Sequence, residues 1–261
     1  MPENYGGKAP LSYNKYLKVR ELIALQKQLT LPAQHDELLF IIIHQTFELW
    51  FKQILHELDA TLVYIKERRL MRAVRNLRRV CEIEKILIQQ FEVLETMTPH
   101  DFLLFRDELK PASGFQSTQF REIEFMSGLK DEGLMKFFAD DEFATEKLNN
   151  RFNGETLHDA FFELLKERGL AVETYEQRVA STVEIIKYIE KYAEEFELEE
   201  TLIEHDELVA KWRVHHIKMV ERTVGGKMGT GGSEGIGYLQ KTLTKKFFPE
   251  FWDARTQLEI E

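Results

Sequence analysis

The sequence predicts an all-α protein: a bundle of long helices with short accessory helices attached. Apolar residues recur at helical spacing through most of the chain. The six prolines stand at positions 2, 10, 32, 99, 111 and 249, so nothing between Ala112 and Phe248 forbids a long helix. No alternating apolar–polar run is long enough for a strand, and there is no internal repeat or low-complexity segment. With 43% apolar and 11% aromatic residues among 261, the chain can bury a sizeable core. The expected organisation is an N-terminal arm, residues 1–12, followed by a single helical domain, residues 13–261.

Tyr13 to Leu29 reads as the first helix, with Tyr13, Tyr16, Leu17, Val19 and Leu22 at helical spacing, and Pro32 ends it. His35 to Lys66 reads as one long helix. Its Leu38 to Ile43 portion is apolar all round and is expected to be buried in the bundle. His44 follows, with Phe40, Phe47 and Glu48 one turn away on its face and Phe51 a turn further. A charged imidazole among phenylalanines is costly, so His44 is expected to be neutral. Leu70 to Glu95 is a second long helix, basic at its start (Arg72, Arg75, Arg78, Arg79). Thr98-Pro99-His100-Asp101 is a helix start, with Thr as N-cap and Pro at the first helical position. The short helix DFLLFRDEL then brings Phe102, Phe105 and Arg106 together and stops at Pro111. An arginine on an aromatic surface can fork onto a carboxylate ligand or onto a neighbouring Asp or Glu. Short helices and turns are expected over 128–153, amphipathic helices over 155–168 and 173–195, a long helix over 201–224, and a last helix over 238–258 interrupted at Pro249.

The stretch from Trp212 to Tyr238 runs from a helix into a loop, and it holds seven of the fourteen glycines. Neighbours on a helix point about 100° apart, so His215 and His216 face different ways. The face of His216 carries Val209, Trp212, Met219 and Val220; that of His215 carries Lys211, Lys218 and Arg222. His216 is therefore the better candidate to ligate a haem iron. Taken alone, each of His44 and His216 reads equally as a core histidine bonded to a carbonyl. The loop GGKMGTGGSEGIG places Thr230 and Ser233 among glycines, which suits small polar groups, but it matches neither a P-loop nor a dinucleotide fingerprint.

A formal charge of −10 argues against nucleic acid or an anionic membrane as partner. The single cysteine, Cys81, excludes an internal disulfide and suits a reducing cytoplasm. No apolar run approaches a membrane span, and no targeting signal is recognisable. A di-iron site would need two Glu-x-x-His pairs, and only Glu155…His158 is usable. The G-x-S-x-G letters at 231–235 lack the preceding strand that a nucleophile elbow requires.

Four separated motifs combine: YNKYL (13–17), HDELLFIIIHQTFELWFKQILHEL (35–58), FRDELKPASGFQSTQFR (105–121) and WRVHHIKMVERTVGGKMGTGGSEGIGYL (212–239). Together they resemble the tryptophan 2,3-dioxygenases, nearly end to end. The resemblance implies a homotetramer, a dimer of dimers, with one haem b per chain buried between helices, acting on L-tryptophan and O2 to give N-formyl-L-kynurenine. It makes His216 the proximal iron ligand and His44 the distal histidine that bonds the indole N–H. Phe40 becomes the indole wall, Arg106 the carboxylate anchor, and Thr230 the loop contact to the amino-acid end. Ser113 and Gly114 fall at the haem edge. Tyr13, Tyr16 and Leu17 match residues lent to a neighbour's pocket. Phe102 stands where some members carry a tyrosine that bonds the substrate carboxylate. Two alternatives stay open: an indole monooxygenase on the same fold, and a non-catalytic haem sensor.

Overall fold

In a computed structural model the structure describes residues 11–227 and 236–259. All regular elements among them are helical. In chain order they are α1 (Tyr13–Tyr16), α2 (Val19–Leu22), α3 (His35–Lys66), α4 (Leu70–Leu94), α5 (Pro99–Leu103), α6 (Thr118–Ser127), α7 (Glu142–Asn153), α8 (Leu157–Glu167), α9 (Tyr175–Lys187), α10 (Ala193–Val224), α11 (Ile236–Lys241) and α12 (Pro249–Thr256). Short 3₁₀ turns cover Arg106–Leu109, Gly114–Gln116 and Glu132–Phe138.

The centre of the bundle is α4. Its buried residues Leu70, Ala73, Val74, Leu77, Val80, Ile83, Leu87, Phe91 and Leu94 recur every three or four positions. That spacing lays a seam along the helix, against which α3 packs on one side and α10 on the other. α6 and α8 cover α3, and α9 packs on α12. A buried polar relay ties α4, α6 and α10 together. Ser127 Oγ lies 2.9 Å from His205 Nε2, and His205 Nδ1 lies 2.8 Å from Glu84 Oε1. Ser127 gives its one proton to the Ile123 carbonyl, so His205 Nε2 donates to Ser127, and His205 Nδ1 and the Glu84 carboxyl share one further proton between them. The relay is sealed from solvent, so it fixes the helices that carry the site and cannot act as a nucleophile. On α10, Asp206 accepts from the backbone N–H of Phe247 and Phe248 and from Trp252 Nε1, at 3.0, 3.2 and 2.9 Å.

Four expectations need correction. The first helix is two single turns, with Lys18 between them at φ 53°. Short helices are marginal without an apolar face to bury, and Tyr13, Tyr16, Leu22 and Ile23 are all exposed. The 173–195 helix stops at Lys187, and α10 begins at Ala193 rather than at Thr201. No Pro or Gly marks that break; the turn between exists because it buries Tyr192 in the core. The Leu38–Ile43 stretch is not sealed either: Ile43 is buried, but Leu38 and Ile42 are each 41% exposed. Finally, α3 is long and apolar enough to cross a membrane by length and composition, although polar residues interrupt it. Its buried Glu57 accepts from Arg79 and Gln53, and its buried Glu37 from Leu29 and Thr30, so its inward face belongs to the protein core.

Candidate functional site

A cavity of about 250 Å³ lies between α3, α5, α6 and α10. Phenylalanines 40, 47, 51, 91, 102, 115 and 120 supply most of its wall. They are brought there by helical spacing on α3 (Phe40, Phe47, Phe51) and by the Thr98-capped, Pro99-started turn that holds Phe102. Phe40 sits 5.8 Å from Phe102 and 5.6 Å from Phe105, centroid to centroid.

His44 and His216 both line this cavity, from α3 and α10. They differ in how they are held. His44 Nδ1 lies 2.7 Å from the Phe40 carbonyl oxygen one turn back. A carbonyl only accepts, so Nδ1 carries the proton of the neutral ring and Nε2 is left as a bare acceptor. Burial keeps His44 below the ordinary histidine pKa, against the pull of that carbonyl and of Glu48. The His216 ring stacks on Trp212 at 5.1 Å, 19° from parallel, and has no hydrogen bond among the described residues. Burial, then the charges of His44 and Arg121, lower its pKa to about 4. His215 is exposed and does not line the cavity, as the helical faces require. One neutral, unbonded imidazole over Phe, Leu, Met and Val surfaces suits a metalloporphyrin. A bare ion is not served: among the described residues no group of three or more His, Cys, Asp or Glu could hold a metal.

The polar part of the wall is cationic on balance. Arg106, Arg121 and Arg213 line the cavity with Glu48 and Glu124, three positive groups against two negative. Glu48 accepts from Gln119 Nε2 at 2.7 Å. Glu124 is fully used: Arg121 Nη1 reaches one oxygen at 2.6 Å and Arg213 Nη2 the other at 2.8 Å. Burial works to raise the Glu124 pKa, but the two guanidinium groups outweigh it and hold the carboxylate ionised. Two buried N–H donors in this wall have no partner among the described residues, Arg121 Nε and Trp212 Nε1.

Comparison with known proteins identifies the family. The sequence profile described as tryptophan 2,3-dioxygenase matches residues 1–175 and 152–258. The chain belongs to the tryptophan 2,3-dioxygenase family. A tryptophan 2,3-dioxygenase of a Nocardioides species is 45% identical over 255 residues, covering 96% of each chain. That of Herpetosiphon aurantiacus is 43% identical over 258 residues, covering 95% of this chain and 98% of its own. That of Caulobacter vibrioides is 40% identical over 261 residues, covering 95% and 98%.

Of the positions that the family resemblance singles out, the fold gathers Phe40, His44, Phe102, Arg106, Ser113, Gly114 and His216 on the one cavity. Ser113 caps the 3₁₀ turn that begins at Gly114, its Oγ accepting from the Phe115 N–H. Tyr13, Tyr16 and Leu17 are 75, 70 and 44% exposed and do not line the cavity of their own chain. Thr230 and the G-x-S-x-G letters fall outside the described residues. α10 runs up to Gly225, whose φ of 60° with ψ of −144° is a backbone conformation open to glycine and closed to residues with a Cβ. Sequence reasoning missed the Arg121–Glu124–Arg213 cluster. Its signal was present in FREIEF, an Arg and a Glu three apart and so on one face of a helix, and in Arg213 beside Trp212.

Proposed function

We propose that this chain is a haem-dependent dioxygenase that inserts both atoms of O2 across the indole C2–C3 bond of L-tryptophan, giving N-formyl-L-kynurenine and opening the kynurenine route of tryptophan breakdown. The observation that carries the reading is the pair of unlike histidines on one phenylalanine-walled cavity, His44 latched and His216 free. His216 would hold the iron of one haem b per chain, with Ser113 and Gly114 along the haem edge. The haem, when bound, supplies the oxygen chemistry; the protein supplies placement and electrostatics.

The latched His44 presents Nε2 as an acceptor for the indole N–H, so it orients the ring and need not remove the proton. Phe40 and Phe102 wall the indole. Arg106 would fork onto the substrate carboxylate, with Thr230 assigned to the same end from the loop, so that C2 and C3 are held in one place. Phe102 cannot make the hydrogen bond that a tyrosine would. The apolar lining excludes water from the reacting centre.

The same reading takes residues 1–12 as an arm on one helical domain, 13–261, in a cytoplasmic homotetramer, a dimer of dimers. Exposed apolar side chains support the assembly: Tyr13, Tyr16, Leu17, Ile23, Leu25, Leu29 and Leu31 on the N-terminal segment, and Leu38, Ile42 and Leu49 on α3. Tyr13, Tyr16 and Leu17 would then complete a neighbour's pocket. The test mixes reduced protein, haem, L-tryptophan and labelled dioxygen. Growth of the near-ultraviolet absorbance of N-formylkynurenine with two labelled oxygens supports the reading. One labelled oxygen would indicate an indole monooxygenase, and spectral change without product a sensor; either result overturns it.

A further inference from the structure

We infer that the buried Arg121–Glu124–Arg213 cluster is a device that favours the ferrous state of iron held at His216, because its three side chains together place one net positive charge in the wall of its cavity. The inference rests on the haem reading above and concerns residues to which that reading gives no role.

The geometry is contiguous. The Arg121 guanidinium lies 5.4 Å from the Phe120 ring, Phe120 packs on Trp212 at 4.8 Å, and Trp212 stacks on His216 at 5.1 Å. Arg213 follows Trp212 in the chain, with a side chain only 4% exposed. Both arginines are permanently charged, and both share the single carboxylate of Glu124, so the cluster carries a net charge of one. The remaining reach of Arg213 goes to the Lys245 carbonyl, which is neutral. No described carboxylate bonds the His216 ring, so the imidazole gains none of the anionic character that a carboxylate partner gives a metal-bound histidine.

The couple is Fe(III) plus one electron giving Fe(II). The site loses one unit of positive charge and no proton moves. A fixed positive charge in a low-dielectric wall opposes the more positive ferric state, so it raises the reduction potential. Salt screens such a charge little because it is buried.

The test measures midpoint potentials of the haem-loaded protein by spectroelectrochemical titration with dithionite. Arg121→Gln removes a positive charge and is expected to lower the midpoint. Glu124→Gln removes the negative charge and is expected to raise it. Arg121→Lys keeps the charge and is expected to stay near wild type although it loses the guanidinium fork. Opposite signs for the two glutamine variants are what a merely structural role would not produce. Shifts of one sign, or no shift in variants that retain their Soret band, would overturn the inference. If Arg121→Gln fails to fold, Arg213→Gln replaces it, with a fall expected and an unchanged midpoint refuting; if Glu124→Gln fails, a fall in both arginine variants beside an unshifted Arg121→Lys is expected, and a fall in Arg121→Lys as large as theirs refutes. A wild-type protein that binds no haem would defeat the functional reading instead.

Discussion

α3 and α10 each place one histidine against the same phenylalanine lining, yet the two walls are built on different principles. On α3 the imidazole is tied to its own helix by a 2.7 Å bond to the Phe40 carbonyl, with its polarity set in advance. On α10 the imidazole is stacked but unbonded, and the charge near it is positive. A tied ring is a fixed acceptor for a substrate N–H. An untied ring with a depressed proton affinity keeps its lone pair for a metal. Residue type alone does not separate these roles; the partner of the second nitrogen does.

The sharpest way to break this contrast is His216→Ala. It should abolish stable haem binding, and a full Soret band in the purified variant would remove His216 from the metal. Arg106→Ala comes next. Losing a charge-assisted hydrogen bond costs about 1.5–3 kcal/mol, so the KM for tryptophan should rise roughly ten- to a hundred-fold at unchanged haem content. An unchanged KM would take Arg106 out of the substrate site. His44→Ala should keep its haem and lose only part of its turnover, about five- to tenfold, as for one neutral hydrogen bond. Complete loss would mean that the tied ring does more than orient.

Acid offers a gentler probe of the same contrast. The His216 pKa is depressed to about 4, against about 6.5 for a free histidine. Above about 6.5 the ring is neutral folded or unfolded and contributes nothing to pH dependence. Below it the unfolded chain takes up a proton that the folded site refuses, so stability falls as the pH drops toward 4. In the haem-free protein the unfolding free energy should therefore fall between about pH 6.5 and pH 4 more steeply than in His216→Ala. Equal slopes in the two proteins would contradict the depressed pKa. The smallest effect belongs to Phe102→Tyr, expected to lower the KM a few-fold by adding one hydrogen bond.

Much of this was legible in the sequence, unevenly. The ends of α3 and the start of α4 follow from periodicity and were read to the residue, and the Thr98–Pro99 start was visible as capping chemistry. His216 was preferred over His215 on helical faces alone, and the fold does expose His215 and turn His216 to the cavity. The break before Ala193 could not be read, because it is made by burial of Tyr192 and not by a local breaker. The latch on His44 was equally hidden, since any helical histidine can bond a carbonyl one turn back and nothing in the letters says which will. The arginine pair on Glu124 joins α6 to α10 across 89 positions of sequence, and only the fold brings its members into one wall.

α10 has one further consequence. It is an unbroken rod of 32 residues, roughly 48 Å at helical rise, clamped at Asp206 by the backbone of Phe247 and Phe248 and by Trp252. His216 stands ten positions beyond that clamp, about 15 Å along the axis. Cutting the chain ahead of Trp252 would therefore slacken the far end of a lever whose other arm points the imidazole, and damage at the carboxyl terminus would register as a change in colour.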